Sequence, residues 1–399
     1  MDSKPWLTKK EWADNRIKSG AQITFIVMWV MALIWNALMI PLYMEFPELL
    51  EKARGEPITY VALVMPLAGI YILFLAIKYT LDWLNSGRTP LVLDPFPGSI
   101  GGHLGGSIET DISYTGQTQG KITVQCVYSY VSGSGKDRSR SESVKWQNTG
   151  VCHLDQSARG TVFKFRFDLP NDLPESDVEK RSQNYYFWRV LLEVESAKRE
   201  LSRFFVVPVF RTAEQSLSMR SGTEDHRGTL EAAESGIDSV ADIKSVPGGI
   251  EIWYAPFQRP MNGIFMLIFG FIFSGFGLLI GSVDAPLFFP IVFCIVGGLI
   301  ALAGLHYLGK ALLVSITHEG IRTRRFLFGY PISTKEIHKG NFSSFEIRQN
   351  GSMQSGGKTT IYYNLLASSK DGTKITVAER HTSRPEIELI QEKFEAALN

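Results

Sequence analysis

Residues 261–283, MNGIFMLIFGFIFSGFGLLIGSV, and 287–308, LFFPIVFCIVGGLIALAGLHYL, decide how the rest of the chain is read. Neither contains Asp, Glu, Lys or Arg. Each exceeds the roughly 20 residues that cross a hydrocarbon core of about 30 Å at about 1.5 Å per residue. Two further blocks share this character, Ala21 to Met44 and Ile58 to Leu81, with Lys78 the one charge in the second. A helix of a water-soluble protein keeps a polar face. The four blocks therefore predict four transmembrane helices in two hairpins, 21–84 and 261–308. The first block is too long for a secretory signal, and no small-residue cleavage pattern follows in Pro41-Leu42-Tyr43-Met44.

Flanking charge sets the expected orientation. The 1–20 tail carries Lys4, Lys9, Lys10, Arg16 and Lys18, whereas the first inter-helix loop has Lys52 and Arg54 among glutamates. Lys78 and Arg88 follow the second block, Arg259 precedes the third, and Lys310, Arg322, Arg324 and Arg325 follow the fourth. Basic residues accumulate on the cytoplasmic side. The expectation is a multi-pass protein of a bacterial inner membrane with both termini and both soluble regions cytoplasmic.

The soluble parts read as strands. In Thr161-Val-Phe-Lys-Phe-Arg-Phe-Asp168 phenylalanine alternates with Lys164 and Arg166, the period of two of a half-buried strand. Lys121–Tyr128, Tyr186–Val194 and Arg203–Phe210 are similar, and turn-rich stretches such as Ser132-Gly-Ser-Gly135 separate them. An antiparallel β-sandwich is expected over 89–210. From 211 to 248 the apolar pattern fades into a Ser/Glu/Asp/Gly linker with one short helical stretch, Thr229 to Ala233. Residues 249–258 read as a strand entering the third helix, able to pair with Leu313–Thr317 as the chain leaves the membrane. The 311–399 region shows strands and then a helix whose Ile387, Leu389, Ile390, Phe394 and Leu398 share a face. The fold class is thus membrane α+β.

Three resemblances attach to these residues. Phe165-Arg-Phe-Asp-Leu-Pro-Asn-Asp-Leu-Pro-Glu-Ser176, the Tyr186 strand and Val206-Val-Pro-Val-Phe210 resemble the middle of an arrestin-like sandwich. The order of two helices, Pro95-Phe-Pro-Gly-Ser-Ile-Gly-Gly-His-Leu-Gly-Gly-Ser-Ile108, sandwich, two helices and β-rich tail resembles a group of uncharacterised bacterial membrane proteins. Strands closed by an amphipathic helix over 311–399 resemble the pleckstrin-homology-like domains of such proteins. These resemblances imply architecture and carry no activity.

No chemical constellation stands out. A formal charge of +1 does not suit a nucleic-acid binder. Cys126, Cys152 and Cys294 lack CxxC spacing. The paired glycines around His103 lack the GxxxxGK[ST] of a phosphate loop, and Gly135-Lys136-Asp137 lacks both the upstream glycine and the hydroxyl. Neither HExxH nor GxSxG occurs. No cofactor, metal or catalytic residue is expected, and the chain is read as non-enzymatic. Within the membrane blocks, Asn36 and His306 read as packing residues, and Gly270, Gly275, Gly277, Gly297, Gly298 and Gly304 suggest close helix contact. Lys136, Arg138, Arg140, Arg322, Arg324 and Arg325 are the candidate contacts to anionic headgroups or to a protein partner, each basic group near a membrane surface contributing about 1 kcal/mol. The expected function is a membrane adaptor or scaffold presenting β domains to a protein partner or the bilayer. The alternative is an accessory subunit of a transporter or secretion assembly, its glycine-rich hairpin packed on the translocating partner.

Overall fold

The computed structural model of the protein describes the chain except residues 1–3, 56–58, 87–88, 117, 134–137, 179–183, 197–198, 259, 282–285, 356–357 and 399. Helices form at all four apolar blocks. α1 (Ala21–Met44) leads through α2 (Phe46–Gly55), an unforeseen helix, to α3 (Thr59–Ser86). Among the described residues, three helices are long and apolar enough to cross a membrane: Ile26–Met44 of α1, and further on Met261–Gly281 and Phe288–Gly309. The described apolar stretch of α3 is the shorter Met65–Leu81.

The sandwich follows. One sheet has the order β1-β3-β7-β6, from β1 (Leu91–Leu93), β3 (His103–Thr110), β6 (His153–Gln156) and β7 (Thr161–Asp168). The facing sheet runs β5-β4-β8-β9, from β4 (Gln119–Ser132), β5 (Ser139–Val151), β8 (Tyr185–Ser196) and β9 (Arg199–Val207). A parallel pair, β2 (Gly98–Ser99) with β10 (Val209–Phe210), closes one end. The alternation in β7 sends Phe163, Phe165 and Phe167 inward against Ile122, Val124, Trp188, Val190 and Phe205. Each such buried side chain contributes about 1.5–3 kcal/mol.

Residues 4–20 are no free tail. Trp12 and Ile17 are buried in the sandwich core. The Trp12 indole donates to the Val206 carbonyl at 3.0 Å, Asn15 exchanges two hydrogen bonds of 2.9 Å with the Leu93 backbone, and Ile17 bridges Leu91. Two isolated apolar residues in a basic stretch have no period to betray them.

Residues 211–248 likewise are more ordered than a linker. α4 (Arg227–Asp238, 12 residues) is more than twice the length of the expected stretch from Thr229 to Ala233, and β11 (Asp242–Val246) joins the next sheet. That sheet has the order β11-β12-β13-β14-β15, with β12 (Gly249–Tyr254), β13 (Lys310–Thr317), β14 (Gly320–Leu327) and β15 (Tyr330–His338). The predicted pairing of the strands flanking the second hairpin holds, from Gly249 opposite Thr317 to Tyr254 opposite Leu312. α5 (Met261–Gly281) and α6 (Phe288–Gly309) are thus inserted between neighbouring strands. A three-stranded sheet, β16 (Phe342–Ser355), β17 (Lys358–Ser369) and β18 (Lys374–His381), and α7 (Arg384–Leu398) complete the chain. α7 buries Ile387, Ile390, Phe394 and Leu398 as its periodicity requires.

The two hairpins are held differently. Asn36 of α1 donates to Ala32 O at 2.8 Å and, across to α3, to Gly69 O at 3.0 Å; Tyr43 donates to Asn36 Oδ1 at 2.7 Å and to Pro66 O at 2.9 Å. The indoles of Trp29 and Trp35 also cross over, to Thr80 Oγ1 at 2.8 Å and Met65 O at 3.2 Å. Between α5 and α6 the contact face is small residues at intervals of seven. A Cβ on Gly270 would meet Gly297 O at 2.6 Å, and one on Gly304 would meet Gly263 O at 2.8 Å. Gly275 and Gly298 face away, with nothing within 4 Å of a Cβ there, and His306 is exposed rather than packed.

Candidate interaction surface

β4 is buried on both faces. Ile122, Val124 and Cys126 enter the sandwich core, while Gln125 is 1% exposed on the opposite side. What covers that side is the C-terminal module, and Val127 and Val144 of the sandwich belong to its core. The join is polar at its centre. Arg189 of β8 donates to Gln125 Oε1 at 2.9 and 3.1 Å and to Thr359 Oγ1 at 3.0 Å, and its guanidinium lies 3.5 Å from Glu142. Gln125 donates in turn to Thr359 O at 2.9 Å and Gln147 Oε1 at 2.6 Å. Burial lowers the pKa of Arg189, and Glu142 works against it. A buried charge is tolerable where hydrogen bonds and a counter-charge meet it, and removing one partner of such a pair costs about 3–5 kcal/mol. Sandwich and C-terminal module are therefore joined through a specific, paired seam.

A second clamp uses the Pro95–Ile108 motif. Asp94 accepts from the Ser216 hydroxyl at 2.9 Å, from the Ser218 amide at 2.8 Å and from the Ser218 hydroxyl, while His103 Nδ1 accepts from the Ser216 amide at 2.9 Å. Burial works to raise the Asp94 carboxyl, but the bonds from Ser218, Leu217 and Ser216 outweigh it and hold it below the ordinary carboxylate value. Arg166 adds bonds to Met219 O at 3.0 Å and Arg220 O at 2.6 Å. The motif thus pins the 211–223 strap. Of its paired glycines, Gly101 supplies a turn at φ +73°.

The strap ends at Glu224, to which Asn148 of β5 donates at 2.6 Å. Burial, then Asp168, Glu388 and Asp225, push its carboxyl up to about 7 against the pull of Arg384. Nearby, the rings of His153 and His226 meet edge to face at 4.3 Å, and burial followed by His226 lowers the pKa of His153.

The basic candidates fall into three situations. Lys136 lies outside the described residues. Arg138 is exposed beside the start of β5, and Arg140 donates to Ser129 Oγ at 2.9 Å with its guanidinium 5.0 Å from the Tyr185 ring centre. Arg322 and Arg324 sit on the outer face of the five-stranded sheet and line one open groove of about 320 Å³. Arg325 turns to the other face, 3.5 Å from Glu379. Across the groove runs a row of opposed residues, Lys244, Glu251, Ser315, Arg322 and Glu336. Ser315 donates to Glu251 at 2.8 Å, and Arg322 pairs with Glu336 at 2.6 Å. Arg322 is therefore neutralised in place. Arg324, in the next row beside Leu313 and Trp253, has no carboxylate within 4 Å among the described residues.

One arrangement imitates a catalytic relay. The Tyr254 hydroxyl lies 3.0 Å from His381 Nε2, and His381 Nδ1 lies 3.2 Å from Glu386 Oε2. Tyr254 and His381 are 0% exposed and Glu386 5%. A solute does not reach them, and the set ties β12, β18 and α7 together beneath the second hairpin. Among the described residues, no group of three His, Cys, Asp or Glu side chains is placed to hold a metal ion.

No protein-family model matches the chain, and no curated protein matches it. Among solved structures, that of Spo0M, a sporulation control protein from Bacillus subtilis, matches at 11% identity over 77% of this chain and 98% of that chain, with a TM-score of 0.22. A likeness of that size carries no argument about fold or function.

Proposed function

We propose that this protein is a non-enzymatic scaffold of a bacterial inner membrane, in which four transmembrane helices root a fused β body on the cytoplasmic side. The observation that supports this best is the combination of apolar helices whose outward side chains are exposed with a paired polar seam between the two soluble modules. Leu33, Leu38, Phe265, Leu278, Leu299 and Leu302 each expose more than 60% of their surface. Exposed apolar area on that scale needs a hydrocarbon solvent. The seam makes one presenting unit from an arrestin-like sandwich and a pleckstrin-homology-like module. The latter reading covers 311–399, where the strands β13 to β18 are closed by the amphipathic helix α7. The partner is a protein or the membrane surface, met by the groove of Arg322 and Arg324 and by the hairpin of Arg138 and Arg140. The alternative, an accessory subunit of a transporter or secretion assembly, draws on Gly275 and Gly298, which have open space beside them where a partner's helix could pack.

Alkaline carbonate washing of cell membranes, with a reporter fused behind Asn399, tests this reading. Retention in the pellet and a cytoplasmic reporter are expected; release into the wash or a periplasmic signal overturns it. Crosslinking in cells then separates scaffold from accessory subunit by whether soluble proteins or a multi-pass transporter are captured.

A further inference from the structure

Three backbone segments converge where α6 passes into β13. Phe257 N–H donates to Leu308 O at 2.9 Å, Phe328 N–H donates to Gly309 O at 2.9 Å, and Leu327 of β14 lies opposite Lys310. The β14–β15 turn is therefore level with the end of the apolar helix, not at the far pole of the sheet. Its sequence, Phe326-Leu-Phe-Gly-Tyr-Pro-Ile332, contains no charge. Turns in water favour Gly, Pro, Asn, Asp and Ser; Gly329 and Pro331 conform, and the other five residues are apolar or aromatic. Here Phe328 is 44%, Tyr330 77% and Ile332 57% exposed, and Phe257 beside them is 55% exposed.

The backbone adds an independent sign. Phe257 and Phe328 both adopt left-handed conformations, φ +61° and +49°, and their rings lie 6.5 Å apart. Bulky residues hold such conformations only where the surroundings fix them, and such strain gathers at functional positions. Charge frames the patch on its inner side: Lys310 lies 4.7 Å from the ring centre of Tyr307, and Arg324 stands exposed one row behind Phe326. Aromatic rings at the level of a helix end, with basic groups behind them, match the order of acyl chain, interface and anionic headgroup.

We propose that the β14–β15 tip, with Phe257, is a membrane wedge that enters the boundary between headgroups and acyl chains beside the second helical hairpin. This rests on the reading that α5 and α6 span the bilayer. Phe328, Tyr330 and Ile332 supply the inserted apolar area, and Arg324 meets anionic headgroups. The wedge gives the five-stranded sheet a second point of attachment next to the helix root. Its consequence is a fixed tilt: the groove carrying Arg322 and Glu251 is held at a set angle to the membrane instead of swinging about one hinge.

Depth-dependent quenching tests the wedge. The full chain carrying Cys294→Ser and one added cysteine is labelled with an environment-sensitive fluorophore and placed in phosphatidylcholine–phosphatidylglycerol vesicles containing lipids with shallow or deep nitroxides. Labels at Tyr330→Cys and, as a second wedge position, Ile332→Cys are expected to be quenched more by the shallow nitroxide, consistent with an insertion of about 5–10 Å. A label at Leu299→Cys in α6 is quenched more by the deep one, and a label at Glu392→Cys on α7 by neither. Quenching at Leu299 with none at either wedge position overturns the wedge and leaves the spanning helices standing. No quenching at Leu299 overturns the spanning reading and the wedge with it.

Discussion

The two helical hairpins solve one problem by opposite means. Lipid tails are as apolar as leucine, so in the bilayer setting proposed above nothing hydrophobic drives the helices together. The first hairpin is pinned by polar side chains, with Asn36, Tyr43, Trp35 and Trp29 all donating hydrogen bonds. In the second, Gly270 faces Gly297 and Ala301, Gly304 faces Gly263, and Gly277 faces the Pro290 carbonyl, so that backbone meets backbone. Pins tolerate a gap between helices, whereas close packing tolerates none. The stiffer solution serves the hairpin spliced between β12 and β13, whose two ends must stay one strand apart. The first hairpin meets its sandwich through short links.

Close packing should break hardest. A Cβ on Gly270 would lie 2.5 Å from Ala301 N and 2.6 Å from Gly297 O, backbone atoms that cannot swing aside as a side chain would. Gly270→Leu is expected to destabilise the hairpin by about 3 kcal/mol, the upper range for overpacking. Gly298→Leu, directed into open space, should leave stability unchanged within about 0.5 kcal/mol. Reversible unfolding in bicelles measures both; equal effects would mean that α5 and α6 do not meet on this face.

Neither set of interhelical contacts involves a carboxylate, but the β body does, so pH separates the two kinds of stability. Glu224 has a folded-state value of about 7 against an ordinary 4.5, chiefly through burial. Folded protein binds the proton more tightly, so the contribution is full below about 4.5 and is lost as pH rises through about 7. Stability of the β body should fall by on the order of 2 kcal/mol between pH 5 and pH 8. Glu224→Gln should flatten that slope, while the hairpin measured by the Gly270 series shows none. A slope that persists in Glu224→Gln would assign the proton to another group.

The difference between legible and hidden parts follows the same physics. Long apolar blocks announce themselves by lacking a polar face over roughly 20 residues, and the alternation of Phe163, Phe165 and Phe167 states which face of the strand is buried. The strand pairing across the second hairpin was also legible, because a tight helical hairpin leaves its two ends nowhere else to go. Trp12, Ile17 and the 211–223 strap were not, since each is held by contacts to residues far along the chain and carries no period of its own. The polar seam was hidden for a related reason: in β4, Thr123 and Gln125 read as a wet face, and only the arrival of Thr359 makes that face buried. For the basic candidates, sequence placed Arg322, Arg324 and Arg325 together, whereas the strand pleat sends Arg325 to the opposite side. Among the glycines of the second hairpin, the spacing of seven in Gly263, Gly270 and Gly277 separates those that meet the neighbouring helix from Gly275 and Gly298, which do not.

The polar pins should yield the smallest effect, and the form of that effect is what distinguishes them. Hydrogen bonds between membrane helices contribute about 0.6 kcal/mol on average and about 1.7 at most, because separated helices find other partners. Asn36→Ala removes the bond to Gly69 and the acceptor for Tyr43, so a loss of about 1 kcal/mol is expected. Tyr43→Phe should cost a similar amount, since it removes the bonds to Asn36 and Pro66. The double variant should cost less than the sum, because the bond between the two residues is lost in both single variants. Pairing Asn36→Ala with Gly270→Leu should instead be additive, as the two residues share no partner. Strict additivity within the first hairpin would show that Tyr43 and Asn36 act separately, and the contrast between pins and close packing would then rest on the second hairpin alone.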